Sequence, residues 1–397
     1  FSTGLIIGWV VSPDRYTSLS EVFSPTITDR TPSVQDTALD TGTPIDLKSL
    51  FSPFWQSWQI IEDQFVDQPV DREAMMRGAI RGMLESLGDR HTSYMDPDQF
   101  REANIMLEGH YEGIGAYVDI TGEYLVIISP MPNSPAEEAG LRPGDVIIGV
   151  DGKDMTGVDG ELVRRQVIGP ADTTVTLTIE REGVLEPFDV EIRRARITIP
   201  SVESEMLEGN IAYVKLYDFG DTSYRDLRRE LQDLLRENPD GLIFDLRNNS
   251  GGYLNVAIDV GSEFIREGVL MYEVFGDGTR TTFNANGRGL AADIPLVVLI
   301  NGGTASASEI VAGAIQDYER GLLVGTPSFG KGSVQNQVPL ADEQGAIRVT
   351  IARWLTPNER HIQDEGLTPD YLVEITEEDL ETERDPQLEK ALELLSR

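Results

Sequence analysis

The sequence contains no cysteine, which removes thiol nucleophiles, disulfide frameworks and thiolate metal sites together. Histidine is nearly as scarce. His91, His110 and His361 are the only three, and no HExxH pair occurs, so the common zinc-hydrolase arrangement is missing and no metal or other cofactor is expected. Nucleophilic chemistry in this chain is therefore expected to run without a histidine base. Positive charge is also short, with 33 Lys+Arg against 68 Asp+Glu and a formal net charge of −35. A surface this acidic repels phosphate backbones and anionic headgroups, which argues against a nucleic-acid partner. Long apolar runs are lacking too. Leu5–Val11 (LIIGWVV) is too short for a helix to cross ~30 Å of hydrocarbon. It fits either the tail of a signal or membrane-anchor segment or a short buried stretch.

What is present suffices for a substantial core. Of 397 residues 40% are hydrophobic, and at roughly 150 residues per domain the length predicts two to three domains. Residues 12 to about 45 are rich in Ser, Thr, Pro and Asp without periodicity and read as a flexible linker. From Leu47 to about Ala103 the pattern is helical, with Phe54, Trp58, Ile61 and Phe65 on one face and Met75, Ile80, Met83, Leu84 and Leu87 continuing a second helix. Residues 106–195 change to short β-like runs, Tyr124–Ile128, Val146–Val150 and Thr174–Glu180 among them. From Ile199 the pattern is α/β. Strands are expected at Asn210–Tyr217, Leu242–Leu246 and the fully apolar Leu296–Ile300, with helices carrying Tyr224, Leu227, Leu231, Leu234 and Leu235 and spanning Leu254 to Ile265. Pro386–Arg397 reads as a short amphipathic helix on an acidic tail.

Several short motifs fail on their surroundings. Asp40-Thr41-Gly42 spells the aspartic-protease tripeptide, but that chemistry needs two carboxylates and only one copy exists. Gly325 to Lys331 fits GxxxxGK, yet Gly332 replaces the metal-binding Ser or Thr, and Ser333–Leu340 alternates like a strand where a P-loop needs a helix. Gly113-Ile114-Gly115-Ala116 lacks the third glycine of a dinucleotide fingerprint. Followed by Ser134 to Asp145 (SPAEEAGLRPGD) and Asp151-Gly152, it resembles instead the peptide-binding PDZ family. In that family such a loop offers backbone N–H groups to a terminal carboxylate, and the peptide adds to a sheet edge. The resemblance assigns peptide-carboxylate binding to Gly113, Ile114, Gly115 and Ala116.

The strongest signal is Asn301 to Glu309 (NGGTASASE), directly after an apolar strand and before a helical run. A serine at such a turn, flanked by small residues, can expose its hydroxyl, and N–H groups at the helix start favour a developing oxyanion. The same letters Ser306-x-x-Glu309 also spell a capping box. Two features favour chemistry over capping. Asp245 to Tyr253 (DLRNNSGGY) places adjacent glycines at the end of a second buried strand, where a backbone N–H can approach a carbonyl closely. Lys331 is one of five lysines and lies between two glycines near Leu322, Leu323, Val324 and Phe329. A lysine desolvated there has a lowered pKa and can act as a general base, and serine with lysine is a triad variant that needs no histidine.

Together these residues resemble the C-terminal processing peptidase (tail-specific protease) family of Ser/Lys endopeptidases, over nearly everything from Leu47 to Val373. The resemblance implies a multidomain α/β protein with a helical N-terminal segment, a β-rich PDZ domain and a crotonase/ClpP-like protease core. Its expected segments are 1–45 (apolar remnant and linker), 46–105 (helical), 106–195 (PDZ), 196–376 (Ser/Lys core) and 377–397 (acidic helix). It implies Ser306 as nucleophile, Lys331 as base, Gln335 as the residue positioning the lysine and Asp317 as a polar residue near the dyad. Oxyanion N–H groups are expected from Gly251 or Gly252 with Ala307. Two departures stand out. Ile168 occupies the place of an arginine held to couple tail binding to the active site, with Arg164 and Arg165 one turn earlier, and Glu359 stands where glycine is frequent.

The expected activity is serine endopeptidase cleavage of protein substrates with exposed C-terminal tails, through an acyl-enzyme, in the cell envelope. An N-terminal anchor and an oligomer stay open. A PDZ adaptor with a non-catalytic core and a crotonase-like acyl-CoA enzyme are the alternatives.

Overall fold

The computed structural model describes residues 45–120 and 124–396. The apolar run, the linker and the Asp40-Thr41-Gly42 tripeptide lie outside the described residues. Two compact units are built from interleaved segments: a larger one containing Asp98–Val334 and Ile351–Arg397, and a smaller one containing residues 45–97 and Gln335–Thr350.

In the smaller unit three helices, Ile45–Leu50, Ser52–Gln64 and Arg72–Glu85, precede the strand Ser93–Met95. Asp71 starts the third helix by accepting the Ala74 N–H at 2.9 Å, the capping bond a helix start requires. The strand pairs antiparallel with residues 346–348, and buried Tyr94 donates its hydroxyl to the Gln344 carbonyl at 2.7 Å.

The larger unit holds a β-rich domain and an α/β core. In the former an antiparallel sheet runs in the order Ala116–Asp119, Leu125–Pro130, Val146–Val150, Thr174–Glu180, Phe188–Arg193. Thr174–Glu180 alternates as a half-buried strand should, with Val175, Leu177 and Ile179 fully inside. The helix Gly160–Val167 adds Val163 and Val167 to this core. Ala116–Asp119 is an edge strand of the sheet.

The α/β core is a six-stranded sheet ordered Val202–Leu207, Ile211–Leu216, Gly241–Asp245, Leu296–Ile300, Leu322–Gly325, Tyr371–Leu372, parallel except for the first pair. Every residue of Leu296–Ile300 is buried because the sheet is covered on both faces. Leu296, Val298 and Ile300 join the core that also holds the helices Ser223–Arg236, Leu254–Phe264 and Ala307–Asp317. Val297 and Leu299 join a second core with Ala391 and Leu388 of the helix Pro386–Leu395. At about 1.5–3 kcal/mol per fully buried aliphatic side chain, this strand fixes its own place in the centre of the sheet. The loops after Gly241–Asp245, Leu296–Ile300 and Leu322–Gly325 therefore emerge at one edge, the carboxyl ends of parallel strands, where open α/β sheets build their sites.

Candidate active site

Ser306 takes φ 59° and ψ −116°, a left-handed conformation that costs a non-glycine residue on the order of 1–3 kcal/mol. It sits directly before the helix Ala307–Asp317, whose first N–H groups carry the positive end of the helix dipole. Ser306 and Glu309 face each other as a capping box, of which one bond closes to hydrogen-bond geometry. Glu309 accepts the Ser306 N–H at 2.8 Å, but the serine makes no side-chain cap bond, and its Oγ is buried without a hydrogen-bond partner among the described residues. Capping therefore does not account for this hydroxyl. The sequence led us to expect it exposed, whereas the structure encloses Ser306 at 0% exposure.

Asparagines hold the neighbouring loops. Asn301 Oδ1 accepts the backbone N–H groups of Asn248 (2.9 Å) and Gly303 (3.0 Å), tying the serine loop to the glycine loop. The Asn249 carbonyl accepts Ala305 N–H at 3.0 Å and Ser308 Oγ–H at 2.9 Å. Gly251 lies so close to the serine turn that a Cβ there would stand 2.9 Å from the Ser306 Cβ. Its N–H is donated to Asn249 Oδ1 at 2.9 Å. Gly252 has φ 152°, and a Cβ on it would reach 2.5 Å from the Phe219 carbonyl oxygen. Phe219 braces this glycine pair from both sides, donating its N–H to the Gly251 carbonyl at 3.0 Å and accepting that of Tyr253 at 2.8 Å. None of these bonds uses the Gly252 N–H. Farther back, buried Asp245 accepts from Tyr213 Oη at 2.8 Å and from Arg247 at 2.6 Å, pinning the start of the loop.

Lys331 is 1% exposed. Its carbonyl accepts the Trp354 indole N–H at 2.9 Å. The residue that joins lysine and serine is Glu309. One of its oxygens, Oε2, accepts the backbone N–H groups of Ser306 (2.8 Å) and Lys331 (2.9 Å), while Oε1 accepts Ser328 Oγ–H (2.6 Å) and Gly330 N–H (2.7 Å). Burial pushes its carboxyl above the ordinary range, and the four donors oppose that shift by favouring the anion. From the sequence Glu309 is legible only as a capping partner. Its bonds to residues 328–331 have no local signature.

The Gly325–Lys331 loop does not cradle phosphate. It leads into the strand Ser333–Pro339, and its Gly330 N–H is committed to Glu309. Gln335 is fully buried in the smaller unit, with Nε2 donating to Thr350 Oγ1 at 3.2 Å. Asp317 needs a correction. It ends the helix that Ser306 begins, about 15 Å of helical rise away. There it pairs with Arg360 at 2.5 Å and accepts the Asn358 N–H at 2.7 Å. The structure thus makes it the anchor of the 356–360 turn and does not bring it to the serine. Glu359 in that turn has φ 61°, which explains the preference for glycine there, and it pairs with Arg280 at 2.9 Å.

In the β-rich domain, Gly115 has φ 78°, and a Cβ there would lie 2.5 Å from Ser134 Cβ. The loop turns its carbonyls inward. Ile114 O accepts Ala136 N–H at 2.8 Å, and Gly115 O accepts Met131 N–H at 2.9 Å and Ser134 Oγ–H at 2.8 Å. An apolar groove of about 280 Å³ runs beside the free edge strand, lined by Ile114, Ala116, Val118, Leu125, Val167 and Ile168 among others. Ile168 caps the C-terminus of Gly160–Val167. Arg164 is paired with Glu161 and with Glu102 of the helix Pro97–Glu108, and Arg165 with Asp98.

A strained serine at a strand-to-helix turn above the carboxyl edge of a parallel sheet, with a separate peptide-groove domain, defines a modular serine peptidase. The profile of peptidase family S41 matches residues 210–373, that of the PDZ domain residues 126–181, and that of the N-terminal domain of the activating protease CtpB residues 22–99. The carboxy-terminal-processing protease of Bartonella bacilliformis is 39% identical over 329 residues, spanning 81% of this chain and 74% of the relative. The corresponding Synechocystis protease is 36% identical over 350 residues, 86% and 82% of the two chains. The chain therefore belongs to the carboxy-terminal processing protease family and is a serine-type endopeptidase acting on protein substrates. Among solved structures, an S41-type protein of Bacteroides fragilis shares the fold at a TM-score of 0.53 and 17% identity, covering 86% of this chain and 97% of that one. The photosystem II D1 C-terminal processing protease is 30% identical, covers 83% and 94%, and superposes with a TM-score of 0.49.

Proposed function

We propose that this peptidase selects its substrates by their C-terminal tails and cleaves them with a Ser306/Lys331 dyad. The tail adds as a strand along Ala116–Asp119, its carboxylate drawn to the Gly113–Ala116 loop. Lys331 takes the proton of Ser306 Oγ, and the oxygen attacks the scissile carbonyl. The N–H groups of Gly252 and Ala307 stabilise the oxyanion, the amine leaves with a proton, and water hydrolyses the acyl-enzyme. Gln335 positions the lysine. Gly252 is preferred to Gly251 because the Gly251 N–H is already donated to Asn249. Since Ser306 is buried, the site has to open before a substrate enters. The observation that carries this reading is the unpartnered Ser306 hydroxyl in a strained turn, its backbone joined to that of Lys331 by one carboxylate oxygen. The segment boundaries given above and an extracytoplasmic location belong to the same proposal. Among the described residues no helix is long and apolar enough to cross a membrane.

The test uses an unfolded substrate with a small apolar C-terminus. Ser306→Ala and the volume-conserving Lys331→Met proteins are expected to stay folded and to lose at least ~100-fold in turnover, the usual scale for removing a general base. Turnover retained in either variant overturns the dyad. A wild-type protein that binds tails without cleaving them establishes the adaptor alternative.

A further inference from the structure

The loop that carries Gly251 and Gly252 is tied to the serine loop by Asn301 and by Thr304, whose Oγ1 donates to the Leu246 carbonyl at 2.8 Å. A second tie runs through Arg247. Its side chain is almost enclosed, and the buried Asp245 carboxylate accepts from Nε at 3.0 Å and from Nη2 at 2.6 Å. That pair is local, closing between residues two positions apart. The third nitrogen, Nη1, reaches out of the loop. It stands 2.8 Å from Asp385 Oδ2 and donates to Gln387 Oε1 at 3.1 Å. Burial opposes the guanidinium charge, but the Asp245 and Asp385 carboxylates outweigh it and hold the pKa above the ordinary arginine value.

Asp385 and Gln387 belong to the start of the helix Pro386–Leu395, whose Leu388 and Ala391 share a core with Val297 and Leu299 of the central strand. Asp385 caps that helix, with Oδ1 accepting Leu388 N–H at 3.0 Å, and Gln387 Nε2 donates to the Val373 carbonyl at 2.8 Å. A helix anchored to the sheet thus grips the glycine loop through one guanidinium. Adjacent glycines give that loop little stiffness of its own, so its position has to be set by such ties.

We propose that Asp385 is a positioning residue for the peptidase reaction, fixing through Arg247 the loop whose Gly252 N–H receives the oxyanion. This rests on the dyad and oxyanion reading above. An oxyanion donor is effective only where it already stands at bonding distance from the oxygen of the transition state. A misplacement of about 1 Å can cost 10²-fold. The tail groove lies in the β-rich domain and is left as it is, so the loss falls on kcat and not on KM.

The experiment measures turnover of an unfolded substrate with a small apolar C-terminus by the parent, Asp385→Asn and Glu389→Gln. Asparagine caps a helix as well as aspartate does, so Asp385→Asn removes the charge and keeps the helix start. Glu389→Gln removes an equal charge from the same first turn, where Glu389 pairs with Arg384 and not with Arg247. The second readout is the inhibition constant of acetyl-Ala-Ala-alaninal, an aldehyde whose hemiacetal with Ser306 carries the same oxyanion and whose affinity does not depend on the active fraction. The expected result for Asp385→Asn is a kcat at least about fivefold lower at unchanged KM, with the inhibition constant raised in step. Glu389→Gln is expected to match the parent in both. A kcat within fivefold of the parent in Asp385→Asn, an unchanged inhibition constant, or an equal loss in Glu389→Gln overturns the positioning role and leaves the dyad standing. A Ser306→Ala protein that still turns over overturns the dyad and this inference with it. Should Asp385→Asn fail to fold, Gln387→Met decides on the same two readouts, because it removes the other acceptor that Arg247 finds on this helix.

Discussion

At the scale of single residues, Ser306 holds a conformation that only its position in the loop can enforce. Glycine normally destabilises relative to alanine by about 0.4–1 kcal/mol through the unfolded chain. At φ 59° that order should invert, because glycine relieves the strain and alanine keeps it. We expect Ser306→Gly to be about 1 kcal/mol more stable than Ser306→Ala in urea denaturation, with both inactive. The usual order, alanine above glycine, would show the turn to be unstrained. Ser306 and Lys331 stand out in the sequence as candidates because small residues and glycines surround them in short windows. Glu309 was legible only as a cap, since its four donors come from two segments about twenty residues apart. Asp317 was misplaced because sequence spacing does not show which end of a helix faces a site.

Among elements, strands with uniform apolar or alternating composition announced themselves: Val146–Val150, Thr174–Glu180 and Leu296–Ile300 lie where the pattern put them. Likewise the 3.6-residue period located Ser223–Arg236, with Leu227, Leu231 and Leu234 buried. Val269–Phe275, Arg280–Asn284 and Ala346–Leu355 were not foreseen. Charged residues interrupt them, and a glutamate at a core position defeats any reading by polarity. Glu273 is that residue. It is 7% exposed, opposite Trp354, with no hydrogen bond or ion pair among the described residues, and burial pushes its carboxyl up to about 6. A carboxyl whose folded pKa is raised contributes stability below its unfolded pKa and loses it as pH rises through the folded value. Urea denaturation at pH 5 and pH 8 should therefore show Glu273→Gln gaining roughly 1 kcal/mol on the parent as pH rises. A pH-independent difference would mean that Glu273 does not titrate in the core.

The whole molecule carries a formal charge of −35, and that field acts on every approaching substrate. Salt shortens the screening length from about 30 Å at 10 mM to about 8 Å at 150 mM. For an acidic unfolded substrate kcat/KM should rise severalfold over that range, and for a neutral one it should hardly change. Insensitivity in both would show that the charge lies away from the route of entry. Domain order and family were readable at this scale, because each domain carries its own local signature. The division into interleaved units was not, because strand pairing between distant segments leaves no trace in either one. The smaller unit shows what that division entails. Tyr94 bonds to a residue 250 positions later, and Ser93–Met95 find their strand partners only at residues 346–348. At 5–20 residues per second, a nascent chain waits about 12–50 s between making one half of that pairing and making the other. The first helices thus emerge from the ribosome as an unfinished structure. Phe51, Trp55 and Phe65 remain exposed even in the finished one, so this segment is the one a chaperone would be expected to hold during synthesis.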